Sequence, residues 1–246
     1  MNHSITVITV VYNGKDLLEG TIKSVLHQTY PHVEYVVVDG NSKDGTQAII
    51  QRYADQIDQW VSEPDKGLYD AMNKGLRMAT GDFVLFMNAG DEFRAPDVLE
   101  NVFAKATAKT DVLYGEVMFV NEAREDQGTR SENTTQKTPE ALHWKSLKYG
   151  MVVSHQAFIP RRTIAPPYIE NNLTADIDWV IKCLKQSQET INTQVIIADY
   201  LMGGLSVKRH RQSMKDRFAV LAKHYGVLPN LFNHAFIVWR ALMNKR

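Results

Sequence analysis

Three apolar runs limit this chain more than any other feature of it. ITVITVV (Ile5–Val11), VEYVVVD (Val33–Asp39) and DFVLFM (residues 82–87) carry few polar residues until each stops at a polar cluster. Near-continuous runs of this kind belong to strands buried on both faces, as in a parallel sheet, whereas half-exposed strands alternate. Between them Leu17, Leu18, Ile22, Val25 and Leu26 recur at helical spacing. Asp44 with Gln47 gives a capping pattern ahead of Ala48, Ile49 and Tyr53, and residues 68–79 read as a third helix. A short strand is expected over Gln59–Ser62, a helix from Pro96 and Asp97, and a fifth strand in DVLYGEVMFV. Strand and helix in this rhythm predict an α/β fold, a mostly parallel sheet with helices on both faces.

The second half is less regular. Residues 121–137 are polar and read as a mobile surface insertion. A strand near 154–159, a helix over 174–187, a strand near 195–198 and a basic helical tail are expected after it. The 246 residues, 44% hydrophobic and 23% charged, can bury a substantial core as one large domain or one domain with an appended piece. Lys plus Arg and Asp plus Glu both number 28, which gives no reason to expect a nucleic-acid partner. Residues 201–246 hold nine Lys or Arg against the single Asp216, a local +8 that hints at a surface for phosphates or anionic lipid. One cysteine, Cys183, excludes an intrachain disulfide and suits packing in a reducing, cytoplasmic setting. The apolar run near the start has no basic residues before it and no small-residue cleavage site after it, so it reads as a strand. No apolar segment approaches the roughly 18 residues of a spanning helix.

Four strand ends carry polar clusters: Tyr12-Asn13-Gly14, Asp39-Gly40-Asn41-Ser42, Glu63-Pro64-Asp65-Lys66-Gly67 and Asn88-Ala89-Gly90-Asp91. In a parallel sheet all emerge on one edge, where ligands bind. Any one of them is an ordinary turn or helix cap by itself; four together read as a site. Carboxylates with few fixed cations nearby call for a divalent ion if the ligand carries phosphates, and oxygen ligands select Mn or Mg.

The stretch TVITVVYNGKDLLEGTIKSVLHQTYPHVEYVVVDGNSKDGT, with SEPDKGLYDAMNKGLRMATGDFVLFMNAGDEF, closely resembles the amino-terminal domain of family 2 glycosyltransferases. The nearest likeness is to the bacterial exopolysaccharide branch, such as colanic-acid-type transferases. Beyond the first half the resemblance is patchier, resting on VVSHQAFIPRR, ADIDWVIKCL and GGLSVKRHRQ. It implies the GT-A fold, a Rossmann-like sheet that binds a nucleotide-sugar and inverts its anomeric centre. Residues 1–119 would then be the nucleotide-sugar-binding half and 120–200 the acceptor-facing half of a catalytic domain, with 201–246 a basic helical segment.

Carried over by motif, Thr9, Val11, Tyr12 and Asn13 would lie along the base and ribose, and Asp39 would accept from the base. Asp44 matches a second acid of that motif or caps a helix. Asn73 and Lys74 match the stretch facing the diphosphate and donor sugar; Asp70 partners Lys74 or forms an ordinary i, i+4 pair. Asn88 and Gly90 stand where the family often has acids, so Asp91 is the single negative metal ligand, with Asn88 a neutral oxygen donor or a ribose contact. Metal binding without nucleotide should then be weak.

In TADIDWVIKCL the family's catalytic base falls on Asp176, with Ala175 in place of the usual Glu. Ile177, Val180, Ile181 and Leu184 form the buried stripe of that helix. Asp176 and Asp178 lie about 200° apart around the axis and cannot share one job. With Thr174 as N-cap, Asp176 sits in the first turn, where the helix dipole favours its charged form; helix stabilisation alone is the other reading. His155 contacts acceptor or pyrophosphate, or is simply packed. Arg209, His210 and Arg211 close over the diphosphate or form a solvated helix start.

The implied activity is inverting transfer from a nucleotide-sugar donor to a saccharide acceptor, expected to be lipid-linked, in cell-surface polysaccharide synthesis. A non-catalytic sugar-nucleotide-binding or partner subunit is the alternative. A sugar nucleotidyltransferase would want a glycine-rich basic loop after the first strand, and VYNGKD has one Gly and one Lys. Leu231, Phe232, Phe236, Trp239 and Met243 fall on one side of a terminal helix near Arg240, Lys245 and Arg246, as an interfacial anchor on anionic membrane or as a stripe packed on the core.

Overall fold

The structure, a computed structural model, describes residues 3–203 and 210–243. Four strands, β1 (Ile5–Val11), β2 (Val33–Asp39), β3 (Gln59–Ser62) and β4 (Phe83–Phe86), form a parallel sheet in the order β3-β2-β1-β4. Every residue of β1 is buried. Its side chains alternate between two cores, Ile5, Val7 and Val11 on one face and Ile8 and Val10 on the other, which is why the run is apolar throughout. Its two threonines are satisfied inside. Thr6 accepts from the Gly81 amide at 2.9 Å and donates to Glu34. Thr9 donates to the Met87 carbonyl at 2.7 Å and meets the Tyr35 hydroxyl at 3.0 Å.

Helices α1 (Lys15–Leu26), α2 (Thr46–Arg52) and α3 (Leu68–Met78) follow β1, β2 and β3. Asp44 ties the first turns of two of them, whose N-caps are Gly14 and Gly45. One carboxylate oxygen accepts from the Thr46 amide at 3.0 Å and the other from the Lys15 amide at 3.1 Å, which holds the starts of α2 and α1 together. α3 packs so closely on β1 that a Cβ at Gly75 would lie 2.3 Å from Ile8 Cγ2.

The fifth expected strand does not extend this sheet. β5 (Glu92–Phe93), β6 (Val112–Val120), β7 (Asp126–Thr129), β8 (Phe158–Pro160) and β9 (Thr190–Leu201) form a second, mixed sheet in the order β5-β9-β6-β7, with β8 also on β6. Only β6 and β9 run parallel. One bridge, Phe83 to Arg161, joins the two sheets. Between the sheets' strands lie α4 (Val98–Phe103), α5 (Arg130–Asn133) and α6 (Ala175–Gln186); α7 (His210–Tyr225) and α8 (Val227–Met243) follow.

Residues 121–137 are not a structureless insertion. Asn121 Oδ1 accepts from the amides of Ala123 and Glu125, turning the chain into the β6–β7 hairpin, and Thr129 with Glu132 forms a capping box that starts α5. The expected strand over 154–159 is a 3-10 turn, His155–Ala157, before the short β8. Cys183 is buried in the core under α6, as a packing role requires. Among the described residues no helix is long and apolar enough to cross a membrane.

Candidate active site

The carboxyl ends of the parallel strands deliver their loops to one edge, and a cleft of about 960 Å³ opens there. Val11, Tyr12 and Asn13 line it, as do Lys66 and Gly67, and Asn88 and Asp91. Asn13 takes a left-handed backbone, φ 48°, that asparagine tolerates well. Its amide donates to Ser42 Oγ at 2.7 Å and its side-chain oxygen accepts from the Lys43 amide at 2.9 Å. Tyr12 beside it is exposed.

Four residues expected at the donor are placed elsewhere. Thr9 is fully buried beneath the cleft, its hydroxyl spent on Met87 and Tyr35. Asp39 is also buried: it accepts from the Ser42 amide and hydroxyl and from Ser62 Oγ at 2.6 Å, so it ties the ends of β2 and β3 and braces the Ser42 that holds Asn13. Asn73 clamps the Tyr168 backbone from both ends of its amide, at 3.0 and 2.7 Å. Lys74 bonds the Pro64 carbonyl at 2.7 Å and Glu63 at 2.9 Å, with Asp70 at 4.0 Å, and so fixes the loop before α3. Each of the four makes contacts within the protein, and none of them lines the cleft.

The second half closes the cleft with Ser154, His155 and Gln156 from the 3-10 turn, Asp176 from the first turn of α6, Arg130 from α5 and residues 200–203. The polar groups here are held in uneasy states. Asp91 is buried; Gln156 donates to one of its oxygens at 2.7 Å and the Leu201 amide to the other at 3.1 Å. Burial outweighs those bonds and pushes its carboxyl up to about 7. Burial also pushes the His155 imidazole down to about 4, so it is neutral near pH 7 and offers no charge to a diphosphate. Its Nε2 lies 3.2 Å from Asn88 Nδ2, while Asn88 Oδ1 is buried with no hydrogen-bond partner.

Asp176 accepts from the Ile177 amide at 2.9 Å, and burial raises it to about 6. Two positions on, Asp178 is fully buried and faces the other way: Lys182 Nζ lies at 2.6 Å, His224 Nε2 at 2.8 Å and Lys223 Nζ at 3.6 Å. Burial alone would raise Asp178, but His224 and Lys182 prevail and hold it at about 2. The two aspartates divide as their angular separation requires. Thr174 is not a side-chain cap, since its hydroxyl goes to Asn172 Oδ1.

Arg209 lies outside the described residues; His210 opens α7, with its side chain outside them. Arg130 and Gln156 carried no sequence signal of their own. Arg130 sits in a polar stretch, and its burial is set by carbonyls of residues 136, 151 and 152 that only the fold brings near.

The residues present fit a divalent ion only in part. Asp91 and the orphaned Asn88 Oδ1 line one cleft, yet among the described residues no three His, Cys, Asp or Glu converge. Such an ion would take most of its ligands from a bound diphosphate and water.

The Glycosyl transferase family 2 model matches residues 6–165, both sides of this cleft up to α6. The chain belongs to glycosyltransferase family 2. A PGL/p-HBAD biosynthesis glycosyltransferase of Mycobacterium bovis is 30% identical over 212 residues, 82% of this chain and 78% of its own. An uncharacterized glycosyltransferase of Mycobacterium tuberculosis is 38% identical over 110 residues, 44% of this chain, and the match spans only 42% of that relative's length. Among solved structures, the mannosyltransferase PcManGT from Pyrobaculum calidifontis, in complex with GDP-Man and Mn2+, aligns with a TM-score of 0.68 at 19% identity, over 99% of this chain and 76% of that one. The fold of this family 2 chain is thus GT-A. The family match stops before α6, so it says nothing about Asp176.

Proposed function

We propose that this chain transfers a sugar, with inversion, from a nucleoside-diphosphate sugar to a hydroxyl of a lipid-linked saccharide acceptor, in cell-surface polysaccharide synthesis of the exopolysaccharide type. The observation that carries the reading is Asp176, a carboxylate near pKa 6 on the wall of the cleft that the strand-end loops build. A base at that pKa is largely ionised at pH 7 yet still basic enough to accept a proton as it is released. The nucleoside lies against Val11, Tyr12 and Asn13, and the diphosphate extends toward Asn88 and Asp91. The acceptor hydroxyl gives its proton to Asp176 as its oxygen bonds to the anomeric carbon; the bond to the diphosphate oxygen breaks, and that electron pair leaves with the nucleoside diphosphate. A single displacement inverts the centre. Mn or Mg held by Asp91 and Asn88 would supply charge neutralisation to the departing diphosphate.

The exposed apolar face of α8, with Leu231, Phe232 and Trp239, supports a peripheral contact with anionic membrane. Met243 and Arg240, expected to complete that face, have side chains outside the description, and residues 244–246 lie outside it altogether. Salt-sensitive sedimentation with anionic liposomes, lost on truncation before Pro229 while the domain stays folded, tests this contact.

The transfer reading is tested with a panel of nucleotide-sugars incubated with the purified chain, with and without Mn or Mg, and scored for release of nucleoside diphosphate. One donor hydrolysed above the rest supports a transferase and names its donor. Tight nucleotide binding with no turnover of any donor, even with saccharide acceptors present, favours the binding-subunit reading instead.

A further inference from the structure

A second cavity, of about 340 Å³, adjoins the main cleft; Arg130, Met151, Leu173 and Asp176 line both. Its size suits a small ligand or one saccharide unit. Two guanidinium groups define its chemistry. Arg130, buried, donates to three backbone carbonyls, those of Gln136, Met151 and Val152. Of its five N–H donors that leaves two. Arg217, from α7, packs over Gly150, where a Cβ would meet its Cδ at 3.8 Å. Its bonded partner among the described residues is the Met214 sulfur, 3.4 Å from one terminal nitrogen, and its Nε is buried with none.

Neither guanidinium has a carboxylate within 4.0 Å among the described residues, although Glu116 attracts Arg130 from further away and Asp176 lines the same cavity; both arginines sit on adjacent residues, Gly150 and Met151, of one segment. Buried charges are ordinarily paired, and Arg130 is buried while Arg217 is half-buried. Burial already weakens the hold of both groups on their protons. An anion in this cavity would take up the free N–H donors, since guanidinium groups match carboxylate and phosphate in geometry.

We propose that this cavity is the acceptor subsite and that it selects an acceptor bearing an anionic group, phosphate or carboxylate, held by Arg217 and Arg130 beside the Asp176 base. The inference rests on the transferase reading and adds the charge of the acceptor to it. Arg130 lines both cavities and so also registers the acceptor against the donor. On its outer side the cavity is closed by Ile237 of α8, next to Phe236, whose ring lies 4.8 Å from Tyr149. The anionic group can therefore come from a water-soluble acidic sugar or from a lipid phosphate whose chain leaves along α8.

Calorimetric titration of the intact chain tests this with matched probes: glucose 1-phosphate and methyl glucuronide against methyl glucoside, and dodecyl phosphate against dodecyl maltoside below their micellar concentrations. An anionic probe is expected to bind at least tenfold more tightly than its neutral twin. Arg217→Gln should erase that preference and Arg217→Lys keep part of it. Preference within the soluble pair identifies an acidic sugar; preference confined to the dodecyl pair identifies a lipid phosphate. Equal binding of neutral and anionic twins, no binding of any anionic probe, or an unchanged preference in Arg217→Gln would overturn the proposal. Arg130→Gln, accepted only if its melting temperature shows a folded chain, should lower the same preference. Titration with UDP and GDP is the separate arm: if neither binds the unaltered chain, the donor reading fails and the charge preference is still read independently.

Discussion

The two sides of α6 treat the same residue type in opposite ways. On the cleft side Asp176 has a single backbone amide donor and is pushed toward neutrality, with Asp91 likewise raised and His155 lowered in the same cleft. On the side facing α7, Asp178 has two lysines and His224 beside it and an acidity well beyond the ordinary. Saturation marks a residue that holds helices together. Incomplete satisfaction in a cleft marks one kept available for a ligand.

Substitutions should separate the two sides. The largest effect is expected at Asp176→Asn, which keeps shape and loses the base: transfer should fall about 10²–10⁴-fold with nucleotide affinity and melting temperature nearly unchanged. Loss of stability with retained turnover would merge the two sides. Next, Asp178→Asn strands Lys182 and His224 and should cost about 2–3 kcal/mol in denaturant unfolding, with turnover per folded molecule preserved. The sign with pH follows from its lowered pKa. The carboxylate's contribution is present above the ordinary value of about 4 and is lost as pH falls through about 2, so the gap between wild type and variant should close over that window. Smaller again is Asn73→Ala, which leaves the Tyr168 amide and carbonyl without their partner and should cost about 1–3 kcal/mol. Unchanged nucleotide affinity there would confirm that Asn73 belongs with the saturated groups despite its motif match; a large loss of affinity with full stability would return it to the cleft. The mildest is a pH profile: with a base near 6, kcat should fall about tenfold between pH 7 and 5 as Asp176 takes up its proton, and the limb should vanish in Asp176→Asn.

How much was legible follows from which forces act locally. β1 to β4 were readable because burial on both faces leaves an apolar run, and their loops had to share an edge. The second sheet was not, because its pairing depends on irregularities that no periodicity reports. β6 and β9 lose register between Tyr114 and Val117, where a Cβ on Gly115 would lie 2.3 Å from the Val195 carbonyl and Gln194 turns left-handed, φ 58°. In the site, Tyr12, Asn13, Asn88, Asp91, His155 and Asp176 line the cleft. Thr9, Asp39, Asn73 and Lys74 do not, because position on a strand or helix places a backbone and leaves open who takes the side chain: Met87, Ser42 and Ser62, Tyr168, and Glu63 took them first.

The bond from the Leu201 amide to Asp91 spans 110 positions of the chain. During ribosomal synthesis the residues of the parallel sheet are all made once β4 has emerged, long before those of β9. Until β9 arrives Asp91 lacks that amide, although Gln156, its other donor, has already been made. The environment that raises Asp91 is therefore completed by nearly the last strand to be made. Arrested nascent chains ending before and after β9, probed by carboxylate labelling at Asp91, would show the change in accessibility at that step and no earlier.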